Sequence, residues 1–570
     1  MDVAQAKAED QNQSEPDTAT VDSAPHGSFA PTGDDEPQAM AAGEAEPDVK
    51  IGRVVSVAGG QVVALLDNTA MADGTTLQIG ALVKMRTAAS TTFAIVTALS
   101  IPLPDQESPS GEVRIAELEL LGEATSGADG QMTFGRGVSA FPGLGDAVLA
   151  TTRQDLSIVY ARPTSSAVRI GTLHQDKAVP AYVIVDELLG KHFAVLGTTG
   201  SGKSCAVSLI LNSVLAQHHN GHVLLLDPHA EYVGALGDRA KVLDLNSLQL
   251  PFWLLNFEEM VEIMVGSSGK EAEAEITILK EAILAAKKIA AGDSEDSTPI
   301  TIDTPVPYTL MAMIQFIDRA AGKLDRPETA APYLRLKNRL DALRADKRYE
   351  FMFPGLIVRD NMAAILSTLY SIPVRDKPVT IVDLSGVPSE TMNVVVSVLS
   401  RMTFDFALLS DRAFPVLLVC EEAHRYAPQN ADAGFEPTKR GLARIAREGR
   451  KYGVSLCVVS QRPSELDAGI LSQCNTIFAL RMSNQSDRDF VGGAMTESAL
   501  GLLDSLPSLR NAEAVVVGEG VPVPGRICFD DLPDNQRPLS ATASFSGAWN
   551  NDVESGEFLT KIVARWRLQE

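Results

Sequence analysis

Eight consecutive residues, Gly197, Thr198, Thr199, Gly200, Ser201, Gly202, Lys203 and Ser204, have the types and spacing to hold a chain of phosphates. They match all four fixed positions of the phosphate-binding P-loop. Gly197, Gly200 and Gly202 let successive backbone N–H groups turn toward one centre without Cβ clashes, and a helix starting at the loop adds its partial positive charge there. Lys203 is placed for the β- and γ-phosphates of a nucleotide such as ATP, and the Ser204 hydroxyl for Mg²⁺. Thr198, Thr199, Ser201 and Cys205 complete the expected lining. The context is the required one: residues 193–196 read as a short buried strand and 205–217 as a helix.

Four other stretches carry candidate chemistry. Residues 416–422, V-L-L-V-C-E-E, form an apolar strand ending in two carboxylates. Glu421 is expected near Mg²⁺ and its waters, and Glu422 is placed to orient or deprotonate an attacking water. Ser460-Gln461 ends the next apolar run, where Gln461 is positioned to sense a γ-phosphate or place the water. The run D-P-H-A-E-Y at 227–232 brings Asp227 to the end of another strand. His229 and Glu231 invite a metal reading, but two ligands are too few for a structural zinc, so an active-site loop is expected. Finally, 439–451 is basic, with Glu448 its one acid. As a helix it aligns Arg440, Arg444, Arg447 and Lys451 on one face, which asks for an anion: ATP phosphates of an adjacent subunit or a nucleic-acid backbone.

The elements that must position these residues are near-continuous apolar runs at 193–196, 223–226, 379–382, 416–420, 456–459 and 477–480, most of them separated by helical stretches. Such runs suit strands covered on both faces, so the expected fold class is α/β, a P-loop RecA-like parallel sheet with ligands at the carboxyl ends of its strands. Before it, short strands broken by Gly, Asp and Ser clusters read as a small β-barrel at 50–155. The core is assigned to 156–254 and 371–530. Between them, 255–370 reads as an inserted helical bundle, with Ile276, Leu279 and Ile283, then Leu336, Leu340 and Leu343, at helical spacing. A Gly-Asp-Ser-Glu-Asp-Ser loop lies at 292–297, and 531–570 is a linker followed by an amphipathic brace.

Residues 1–49 hold a single aromatic, Phe29, and are expected to be a disordered acidic tail. The formal charge of −24 argues against a nucleic-acid partner only until it is located: residues 1–50 carry twelve acids against Lys7 and Lys50, a net of −10. The five cysteines show no paired spacing, and neither a membrane-spanning apolar run nor a signal peptide is evident. A cytoplasmic protein without membrane contact is expected.

Taken in order, the P-loop, D-P-H-A-E-Y, D-L-S-G-V-P at 383–388, E-E-A-H-R-Y at 421–426, R-E-G-R-K-Y-G at 447–453 and S-Q-R-P at 460–463 resemble the HerA family of hexameric DNA-translocating ATPases, over residues 50–570. The resemblance implies ATP hydrolysis with Mg²⁺ by a homo-hexameric ring, double-stranded DNA in the central channel, and a NurA-like nuclease or other effector as partner. A second implied reading is an ATP-gated scaffold that controls an effector enzyme in antiphage defence. It also implies Glu422 as catalytic glutamate, Gln461 as sensor, and Arg447, with Arg450 the runner-up, as the finger from the next subunit. Lys191 stands where the family often has a basic residue before the loop's strand. Many P-loop motors carry Asp where this chain has Glu421.

Overall fold

The period-two apolar runs between Lys50 and Ala150 pair into seven strands: β1 (Lys50–Ala58), β2 (Gln61–Leu66), β3 (Leu82–Arg86), β4 (Thr91–Ser100), β5 (Arg114–Ser126), β6 (Met132–Arg136) and β7 (Ala147–Ala150). Their order is β2-β1-β7-β3-β4-β5-β6, and β2 also pairs with β5, so six strands close on themselves while β6 extends β5. Closure removes the free edges that a small open sheet would expose. Val54, Val62, Val83, Met85, Val96 and Leu118 are among the side chains that fill the interior. This computed structural model describes residues 47–568, apart from 68–76, 88–89, 102–113, 128–129, 267–269, 293–298, 354–357, 431–432, 496–499, 540–544 and 551–555. The tail assigned to 1–49 lies outside the described residues up to 46, as does most of the loop assigned to 292–297.

The second sheet has eleven strands, ordered β12-β13-β11-β14-β15-β10-β16-β17-β18-β8-β9. They are β8 (Ala167–Leu173), β9 (Pro180–Ile184), β10 (Phe193–Leu196), β11 (His222–Asp227), β12 (Ala240–Leu243), β13 (Val379–Asp383), β14 (Val416–Cys420), β15 (Val454–Ser460), β16 (Thr476–Leu480), β17 (Glu513–Gly518) and β18 (Gly525–Phe529). From β12 to β16 every pairing is parallel. Beyond β16 the sheet continues antiparallel through β17, β18, β8 and β9, an edge the apolar runs do not announce. Arg136 on β6 joins barrel to core, donating to the Pro522 and Gly518 carbonyls at 2.8 Å each.

The helix Ser389–Leu409 is long and apolar enough to cross a membrane, but it is a core helix, with Val395, Val396 and Leu399 fully buried. Within the insertion, the helices Lys270–Ala291, Leu310–Ala321 and Pro327–Ala345 pack through Leu279, Ile283, Met313, Ile317, Leu336 and Leu340. A short helix, Phe257–Met264, fastens the insertion to the core. Its Glu259 is 1 % exposed and accepts two bonds of 3.1 Å from Arg401 and one of 3.0 Å from Ser397, both on the helix Ser389–Leu409. Removing one partner of such a pair strands the other charge away from water. Glu259→Ala is therefore expected to destabilise the protein by about 3 kcal/mol, read as a fall in Tm by calorimetry; an unchanged Tm would show that the pair does not hold the insertion.

Candidate active site at the carboxyl ends of the sheet

β11, β14, β15 and β10 are consecutive neighbours, so the chains leaving their carboxyl ends emerge side by side, about 4.8 Å apart. Those chains are the 227–232 run, Glu421-Glu422, Ser460-Gln461 and the P-loop. The P-loop is pinned on both sides. Gly197 N donates to Ser460 O at 3.3 Å, and Thr198 donates from N and Oγ1 to Arg481 O at 2.9 and 3.0 Å. Ser201 is fully buried and donates Oγ to Thr198 O at 2.7 Å. A Cβ on Gly197 would stand 2.8 Å from Ser201 Oγ, so only glycine fits this close approach. Gly202, at φ 104°, starts the helix Lys203–Gln217 in a conformation an L side chain rarely adopts.

Lys203 is 7 % exposed and its Nζ lies 3.3 Å from Thr198 O. Burial holds its ammonium below the usual lysine value, while Glu421, Glu422 and Glu231 pull it back up. Ser204 donates its hydroxyl to Glu231 Oε2 at 2.5 Å. Glu421 is 2 % exposed and accepts 2.8 Å from the Tyr232 hydroxyl. Burial pushes its carboxyl up to about 8; the Tyr232 bond and the Lys203 charge oppose that, while Glu422 and Glu231 add to it.

Glu422 sits in the left-handed region at φ 51° and ψ 46°, strain that a non-glycine residue bears only where its surroundings impose it. The turn sets its carboxylate against His424, whose Nδ1 lies 3.3 Å from Oε2, and His229, whose Nε2 lies 4.0 Å from Oε1. The same His424 nitrogen is 3.1 Å from Ser460 Oγ. Gln461 N approaches Glu422 Oε2 at 3.5 Å, and Thr199 Oγ1 donates to Gln461 Oε1, so Gln461 bridges the P-loop and Glu422. Burial keeps His424 below the usual imidazole value. His424 had no role in the sequence reading; its signal was its place two residues after Glu422.

Three carboxylates and a hydroxyl around one lysine offer hard oxygen donors and excess negative charge, which suits Mg²⁺. Ser204 and Glu231 are the pair best placed to hold it, with Glu421 deeper behind them on Tyr232.

Three expected site residues fall elsewhere or act differently. Lys191 lies before β10, at the opposite end of the strand from the loop, where Glu187 and Glu519 take its ammonium. Four strand residues, about 13 Å, separate it from the P-loop. Asp227 is fully buried and accepts from His229 N at 3.2 Å and Tyr232 N at 3.0 Å, so it shapes the loop rather than lining the nucleotide. Arg450, near the end of the helix Glu436–Tyr452, borders a cavity of about 820 Å³ at the amino ends of the strands, beside Val416 and Ser455.

The basic face of that helix is also less free than its sequence implies. Arg440 pairs with Glu436 at 3.0 Å and with Glu258, and Arg444 lies 4.0 Å over the Phe404 ring and 3.6 Å from Asp405. Arg447 is exposed and has no ion pair among the described residues.

The family model described as the central domain of helicase HerA matches residues 168–403. The chain is 27 % identical over 440 residues to the DNA double-strand break repair helicase HerA of Pyrococcus furiosus, covering 71 % of this chain and 76 % of that one. It is also 27 % identical over 422 residues to the protein of the same name from Saccharolobus solfataricus, covering 72 % and 77 %. Among solved structures it is similar to VirB4 of Thermoanaerobacter pseudethanolicus, at 17 % identity and a TM-score of 0.47, over 66 % of this chain and 99 % of that one.

Proposed function

We propose that this chain belongs to the HerA helicase family and is a P-loop ATPase driving a DNA motor, working as a hexameric cytoplasmic ring around double-stranded DNA with a nuclease as its partner in end processing. The observation that carries the ATPase reading is the strained Glu422, held between His424, Gln461 and His229 with one strand, β15, between its own strand and that of the P-loop. A loop that only bound nucleotide would need no carboxylate positioned at such cost. The names of the relatives carry the DNA reading.

In this mechanism the P-loop amides and Lys203 hold the phosphates, and Glu231 orients the Ser204 hydroxyl toward the metal position. Ser204 and Glu231 would hold Mg²⁺, which would supply positive charge to neutralise the phosphates. Glu422 accepts the proton of the water that attacks the γ-phosphorus as the bond to the β–γ bridging oxygen breaks, giving ADP and inorganic phosphate. Gln461 ties that water's position to the loop through Thr199. Arg447, exposed and without an ion pair among the described residues, supplies positive charge to a neighbour's γ-phosphate.

The test is ATP hydrolysis with and without duplex DNA, together with ATP-dependent strand movement. Stimulation and movement support the motor; hydrolysis with neither places the protein among ATP-gated scaffolds. Binding should rest on phosphate contacts, since a translocating ring must hold every sequence alike. Affinity is expected to fall about 10³-fold or more between 50 and 200 mM salt, with little preference among sequences. A salt-insensitive or sequence-specific footprint would contradict that mode of binding.

A further inference from the structure

After β18 the chain does not leave the core. It doubles back along the P-loop. Phe529 N donates to Ala512 O at 2.9 Å, and Ala512 N in turn donates to Ser201 O at 3.3 Å. The chain then crosses the helix Lys203–Gln217, where Ser208 Oγ donates to Gln536 O at 2.9 Å, and reaches the 227–234 loop, where Leu539 N donates to Glu231 O at 2.8 Å. The Leu539 side chain lies over Gly234, where a Cβ would be 3.7 Å away. Residues 532–539 thus form a strap over the first turns of the P-loop helix, tied to the same Glu231 whose carboxylate holds Ser204.

A nucleotide on a P-loop runs from the γ-phosphate at the lysine, past the β- and α-phosphates on the loop amides, toward the residue after the hydroxyl. Here that residue is Cys205, which is exposed. Arg537 directly follows Gln536, whose carbonyl accepts from Ser208 one turn beyond Cys205 on the same helix, and its charge acts on the Cys205 thiol. Its guanidinium is held at both ends: Nε donates to Leu532 O at 3.0 Å, and Nη1 pairs with Asp534 at 3.0 Å. Its side chain nevertheless stays 54 % exposed. A fixed, planar, half-exposed cation is a stacking surface, and its planarity is what a lysine could not replace.

We propose that the strap 532–539 is the nucleoside half of the ATP site, with the Arg537 guanidinium as the plane on which the purine base rests. The proposal deepens the nucleotide-site reading and rests on it. It also gives the C-terminal segment a function in binding, where the sequence suggested only a brace.

Titration calorimetry on the full-length protein separates the two readings, with Mg·ADP as one ligand and inorganic triphosphate as the other. Arg537 is exposed and outside the core, so its replacement leaves the fold intact. Arg537→Ala is expected to weaken ADP about tenfold and to leave triphosphate unchanged, because the phosphate subsite is untouched. Arg537→Lys keeps the charge but not the plane and is expected to remain weak for ADP. Wild-type ADP affinity in either variant, or a parallel loss of ADP and triphosphate, overturns the proposal. Wild-type protein that binds neither ligand overturns the nucleotide site itself.

Discussion

Glu422→Gln is expected to bind ATP as tightly as the parent chain and to hydrolyse it about 10²–10⁴-fold more slowly, the range over which a positioned general base contributes. Glutamine keeps the size of the side chain and an oxygen for His424 and Gln461 N, so the contacts around the carboxylate persist. What it loses is the capacity to take a proton from water. Lys203→Ala provides the contrast, because it removes the loop's mobile cation and should weaken nucleotide binding as well as hydrolysis. Measuring nucleotide affinity and single-turnover hydrolysis for both variants separates the roles. Near-parent hydrolysis by Glu422→Gln would assign the base elsewhere, and the two carboxylates around the same lysine, Glu421 and Glu231, are the groups to test next.

Arg447→Ala should likewise bind ATP and lose roughly 10³-fold or more in turnover, the contribution of trans-acting arginines to phosphoryl transfer. Its own subunit's phosphate site is a poor target. The helix Glu436–Tyr452 runs back toward the amino ends of the strands, where Arg450 meets the cavity beside Ser455, whereas the P-loop sits at the carboxyl ends. Arg440 and Arg444 are already spent on Glu258, Glu436 and Asp405. A mixing experiment tests action between subunits. Arg447→Ala subunits keep a working loop and Lys203→Ala subunits keep a working finger, so mixed rings regain complete interfaces although each pure ring is inactive. Confirmed mixed rings without recovered hydrolysis would refute the trans role, provided that titration with wild-type subunits shows that one dead site does not silence the ring.

Much of the site was legible because its chemistry is local. Gly197, Gly202, Lys203 and Ser204 lie within eight residues, and backbone sterics at such short range leave one useful conformation. The apolar runs likewise announced six buried strands, since a strand covered on both faces must be apolar throughout. Strand order is a different kind of fact. That β15 lies between β14 and β10, setting Gln461 between Glu422 and the P-loop, depends on the pairing of β15 with β10, more than 250 residues earlier in the chain. The antiparallel edge was missed for the same reason: β18 pairs with β8, with most of the core between them in the chain.

Distance along the chain and distance in space part company around the loop. Lys191 is six residues before Gly197, yet β10 carries the chain from the amino ends of the strands to their carboxyl ends between them. Of the acids around Lys203, sequence favoured Glu421 from its place after a strand, whereas folding turns Glu421 onto Tyr232 and gives Ser204 to Glu231. Sequence by itself determined that a nucleotide would be held and which strand ends would attend it, because loop and strand propensities act over a few residues. Tertiary structure alone decided which carboxylate meets the Ser204 hydroxyl, that His424 braces Glu422, and that a strap from the far end of the chain crosses the P-loop helix. Burial and hydrogen bonding select those partners from the whole chain, and no local pattern records the choice.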